Sequence, residues 1–135
     1  PAGYPTVRPQ PQFTLSDLPM DAMAARDTGR YEVVVNHEIT EKDPATGEER
    51  TTTDGPTPGF LAVSGGPGDY LSNEIAYRAT LLRDGVRSWN VGGHVHTPVL
   101  GVPEGEALTD ADYEARRAAM VTQTTRLVRA ALEER

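Results

Sequence analysis

A serine hydroxyl served by an imidazole is the minimal equipment for acyl transfer. The imidazole takes the hydroxyl proton, the oxygen attacks a carbonyl, and nearby N–H groups hold the resulting oxyanion. Ser72 and His96, twenty-four residues apart, are the residues of this chain that fit those roles. Ser72 is the next-to-last residue of the run SGGPGDYLSN at positions 64–73. The apolar run Phe60-Leu61-Ala62-Val63 precedes it, and the helical pattern Glu74-Ile75-Ala76-Tyr77-Arg78-Ala79-Thr80-Leu81-Leu82 follows. Strand, Gly-rich turn and helix together hold a nucleophile at a helix N-terminus. Backbone N–H groups point outward there, and the helix dipole favours a developing negative charge. The backbone at Tyr70, Leu71 and Ser72 supplies candidate oxyanion donors, with Gly68 and Asn73 shaping the turn around them. His96 lies in Gly92-Gly93-His94-Val95-His96-Thr97-Pro98, a strand-like piece able to carry an imidazole to the same end of a sheet. Simpler roles compete: Ser72 as a plain helix cap and His96 as a structural histidine at a strand end.

These two segments resemble the type I pyroglutamyl peptidases, also called pyrrolidone-carboxylate peptidases. Ser64, Gly68, Tyr70, Leu71 and Asn73 match that family's run at unbroken spacing, and His96-Thr97-Pro98 matches its histidine segment. Leu18-Pro19-Met20 is similar to its Leu-Pro-aliphatic piece. Pro67 stands where the family has Ala, and Ser72 stands where it has the nucleophilic Cys. The resemblance implies a three-layer α/β/α fold with a mostly parallel, phosphorylase/hydrolase-like sheet. It implies that residues 13–135 are the C-terminal half of such a domain, completed by an N-terminal half from the same precursor or a second chain. The implied activity is hydrolysis of N-terminal pyroglutamate from peptides, with Ser72 as nucleophile and His96 as general base, without a cofactor, in the cytoplasm. A hydroxyl does not ionise as a thiol does, so Ser72 needs a base oriented by an acid. The family's orienting Glu has no counterpart here, and Glu38 and Glu74 do not replace it. The competing function is a catalytically inactive relative that binds or supports.

The balance of 13 Lys and Arg against 20 Asp and Glu, a net charge of −7, argues against a nucleic-acid surface, which needs clustered basic residues. The absence of cysteine excludes disulfides and thiolate metal sites. No run approaches the roughly 20 apolar residues of a membrane span. No basic-then-apolar signal segment opens the chain, although a cleaved one would leave no trace. His94 and His96 would share one side of a strand, with His37 as a distant third ligand. Two histidines are too few for zinc, so no metal is assigned. A homo-oligomer is compatible with all of this.

The supporting elements read as follows. Residues 1–12 hold four prolines and form an extended arm. Residues 13–25 read as a short helix with Met20, Met23 and Ala24 on its apolar face and Pro19 in its first turn. Residues 31–40 are β-branched and partly alternating, hence a strand. Asp43-Pro44-Ala45-Thr46-Gly47 is a turn signal, and residues 49–53 a polar return strand. Together they make a β-hairpin over residues 30–54, an insertion by the resemblance. Arg83-Asp84-Gly85 stops the middle helix, and Trp89-Asn90-Val91 starts the histidine strand. Asp110 opens a last helix whose Tyr113, Met120, Val121, Thr124, Leu127, Val128 and Ala131 recur at helical spacing.

Overall fold

The turn at residues 43–48 folds as its residue types require. Ala45 N donates to Asp43 Oδ1 at 2.8 Å and Gly47 N to Asp43 O at 2.8 Å. Gly47 takes φ +78°, open to glycine at no steric cost. In the computed structural model, which describes residues 10–86, 91–105 and 107–134, this turn joins β1 (Ile39–Lys42) to β2 (Glu49–Thr52). β3 (Leu61–Ser64) pairs antiparallel with the other side of β1, giving the order β2-β1-β3. The sheet is therefore antiparallel, three-stranded and small. It is not the mostly parallel sheet of a three-layer α/β/α domain. The hairpin is not peripheral to it either, since β1 is the central strand.

Register explains the sheet's two faces. Glu41 pairs with Arg50 on one side and Ala62 on the other, so these three share a face. Lys42, Glu49 and Leu61 share the opposite, solvated face. The register shifts between Thr40 and Glu41 opposite residues 62–64, a bulge that bends β3 as it enters the Gly-rich turn.

Three helices complete the described residues: α1 (Met20–Ala24), α2 (Leu71–Val86) and α3 (Ala111–Glu133). α1 is little more than one turn long, and residues 13–18 are irregular instead of the expected helix. Pro19 caps α1, its carbonyl accepting from Met23 N at 2.9 Å. α2 begins at Leu71 and runs through Asp84 and Gly85, overriding the expected stop. Residues 31–38 are irregular, so the expected strand over 31–40 forms only at its end. Their alternation is nonetheless present: Tyr31, Val33 and Val35 are half-buried and Glu32 and Val34 exposed. What is missing is a strand to pair with. α3 starts at Asp110, whose Oδ1 accepts from Tyr113 N at 2.6 Å.

The chain divides into two compact units, each made of two stretches. The first holds residues 1–18 and 36–94, the second residues 19–35 and 95–135. In the first, residues 11–17 run along α2, while residues 1–9 of the expected arm lie outside the described residues. Tyr77 OH donates to Pro11 O at 2.6 Å, Thr14 and Thr80 share a 2.6 Å hydroxyl pair, and Arg83 reaches Leu15 O and Asp17 Oδ1 at 2.9 and 2.6 Å. Ala76, Thr80 and Leu81 are buried in this unit. In the second, α1 packs on α3, burying Met23, Leu127, Ala130 and Ala131.

Candidate functional site

The Gly-rich turn between β3 and α2 is held by its own polar groups. Ser72 Oγ donates to Pro67 O at 2.8 Å. Gly65 N donates to Asn73 Oδ1 at 3.2 Å, and Gly68 N to Gly65 O at 2.9 Å. Asn36 braces the turn from outside, its Nδ2 donating to Gly66 O at 2.9 Å. A Cβ on Gly66 would lie 2.9 Å from Asn36 O, and Gly68 sits at φ +111°, so glycine is required at both. Tyr70 O accepts from Asn73 N and Glu74 N at 3.0 and 3.2 Å, opening α2.

The sequence-derived site residues are placed as follows. Ser72 is half-buried in the first turn of α2, as expected from the strand–turn–helix pattern. Gly68, Tyr70, Leu71 and Asn73 surround it in the same turn. Tyr70 and Leu71 are 81% and 70% exposed, so they stand out from the turn as well as lending it backbone. His96 is exposed in an irregular stretch, residues 91–100, and not on a strand. Trp89 and Asn90, expected to start that strand, lie outside the described residues. Ser72 belongs to the first unit and His96 to the second, so neither unit alone carries the pair. Among the described residues, no group of three or more His, Asp or Glu side chains could hold a metal ion. No helix among them is long and apolar enough to cross a membrane.

A second polar cluster escapes a motif search. The Glu41 carboxylate is buried on the inner sheet face. Thr57 N donates to its Oε2 at 2.8 Å and the Thr57 hydroxyl to its Oε1, while Arg50 Nη2 reaches Oε1 at 3.0 Å. The Thr57 hydroxyl, then the Thr57 N–H, and after them Arg50 hold its pKa below the ordinary glutamate range, against the opposing effect of burial. The Arg50 guanidinium also stacks 4.4 Å from the Phe60 ring centre. An ionised carboxylate with its oxygens so engaged is a poor proton carrier and a good fastener for residues 54–60. The signal for it is register: a turn at 43–48 sets Glu41 opposite Arg50.

The family model described as PA0049, C-terminal domain, matches residues 30–101, and the chain belongs to that family. It is 47% identical over 81 residues to the uncharacterized protein PA0049 of Pseudomonas aeruginosa strain PAO1, over 51% of this chain and 15% of that protein. The chain thus spans about a seventh of that relative's length. No solved structure matches. These matches replace the resemblance to the pyroglutamyl peptidases, which rested on the run at 64–73, the histidine segment at 96–98 and the Leu-Pro-Met piece at 18–20. Glycines, an apolar strand and a serine at the helix start suit many strand-to-helix turns, and here they do so beside an antiparallel sheet.

Proposed function

We propose that this chain acts by binding another polypeptide, with Tyr70 and Leu71 as anchors. The observation that carries this reading is the contrast at the turn: its internal polar groups are satisfied, while its two largest side chains face solvent. Rigid presentation of an aromatic and an aliphatic side chain is what an interface hot spot needs. Ile75, one turn further along α2, is 54% exposed and extends the apolar surface from Leu71. Asp69 and Glu74 flank these anchors in a chain of net charge −7. The complementary partner surface is an apolar pocket with a basic rim. A photo-crosslinking residue in place of Tyr70, in the native host, should yield one saturable adduct that Leu71→Asp removes.

The competing reading is a hydrolase with Ser72 as nucleophile and His96 as base, favoured by the position of Ser72 at a helix N-terminus after a strand and glycine turn. Its weakness is the Ser72 proton, which is donated to Pro67 O. A fluorogenic pyroglutamyl amide separates the two. The binding reading expects the parent protein and Ser72→Ala to give equal background rates. Turnover lost in both Ser72→Ala and His96→Ala would establish the hydrolase and overturn it.

A further inference from the structure

The second unit carries a groove that has no part in the reading above. It lies along the outward face of α3, beside residues 97–100, with a volume of about 590 Å³. That is within the range of small-molecule sites, roughly 300–1,000 Å³. Leu100, Met120, Val121 and Val128 give it an apolar floor. Val121 and Val128 are 58% and 54% exposed, so this stripe of α3 lacks the cover that the neighbouring stripe, with Leu127 and Ala130, receives.

Charge identifies the occupant. Arg117 and Arg129 line the groove towards opposite ends of α3. Twelve residues of helix separate them by about 18 Å along the axis. Arg117 pairs with Glu114 at 2.8 Å, an exposed contact of small strength. Arg129 makes no ion pair or side-chain hydrogen bond among the described residues, although the chain is rich in carboxylates. A long apolar floor with an uncommitted guanidinium beside it fits an elongated ligand with an anionic head. We propose that this groove binds a long-chain alkyl carboxylate, the carboxylate on Arg129 and the chain laid over Val128, Val121 and Leu100 towards Arg117. A guanidinium takes a carboxylate by two parallel hydrogen bonds, which sets the head in place.

Calorimetry with laurate and 1-dodecanol, below their aggregation limits, tests this on the whole chain. Laurate should bind at one site per chain, and dodecanol more weakly. Arg129→Ala should weaken laurate about tenfold, the value of one charge-assisted contact, and leave dodecanol unchanged. Val128→Asp should abolish both, with far-UV circular dichroism unaltered. Absence of saturable laurate binding overturns the proposal. So does an equal loss of both ligands in Arg129→Ala. Self-association of the parent that Val128→Asp reverses would assign the groove to a second copy of the chain and also overturn it.

Discussion

At the scale of single residues, two glutamines do the work of missing strands. Gln123 is buried; its Oε1 accepts from Tyr31 N at 3.0 Å and its Nε2 donates to Tyr31 O at 2.7 Å. Gln12 does the same on the outer edge of β3, its Oε1 accepting from Ala62 N at 2.7 Å and its Nε2 donating to Phe60 O at 3.2 Å. A carboxamide offers the donor and acceptor of a peptide group, so each satisfies backbone that would otherwise seek a ladder. At Tyr31 the carboxamide thus takes the place of a neighbouring strand. Nothing in the local sequence announces it, because the partner of Tyr31 lies ninety-two residues away. Glu41 shows the same distance problem in part, for Arg50 follows from the hairpin register but Thr57 does not. Its folded pKa is depressed, so its contribution to stability is full above the unfolded value, about 4.3, and fades as pH falls through the lower folded value. Urea midpoints of the parent should therefore fall more steeply below about pH 4 than those of Glu41→Gln. Glu41→Gln should also start lower at neutral pH. Parallel pH profiles for the two proteins would show that the carboxylate charge contributes nothing.

At the scale of elements, the sequence was informative where a local rule decides the outcome. The 43–48 turn, the 61–64 strand, the helix after Asn73 and the cap at Asp110 all rest on residues within a few positions of one another. It misled where a distant contact decides. Residues 11–18 stay out of a helix where their partners are along α2: Pro11 on Tyr77, Thr14 on Thr80, Leu15 and Asp17 on Arg83. Arg83 is the centre of this arrangement, its side chain 13% exposed, and its Nη1 also reaches Gly92 O at 3.0 Å. Arg83→Ala should leave several acceptors short of a partner and cost about 1–3 kcal/mol. Arg83→Lys should recover only part of that, because an ammonium cannot span the same fork of acceptors. Chemical denaturation compares all three. An equal stability for Arg83→Lys and the parent would reduce the residue to a point charge.

At the scale of the whole molecule, the chain passes between its two units at 18/19, 35/36 and 94/95, so neither is a continuous stretch. A single domain read in linear order is therefore unsuited to the molecule: residues 19–35 are closer in sequence to the sheet, yet their hydrogen-bond partners are on α3. Met23 packs where Leu127, Ala130 and Ala131 are buried, and Thr28 and Tyr31 bond to Gln123. The sheet, the Gly-rich turn, α2 and the arm find their hydrogen-bond partners within the first unit. A chain ended after residue 94 therefore removes every α3 partner of residues 19–35 and none of the β1, β2 or β3 pairings. Hydrogen exchange on that shortened chain should show residues 19–35 exchanging as an unfolded segment does, with the amides of β1 and α2 still protected. Leu127→Ala in the whole chain provides a milder version, a cavity in the second unit costing about 2–5 kcal/mol. Its enhanced exchange should be confined to α1, residues 26–35 and α3. Loss of protection in β1 by either change would show that the two units stand or fall together.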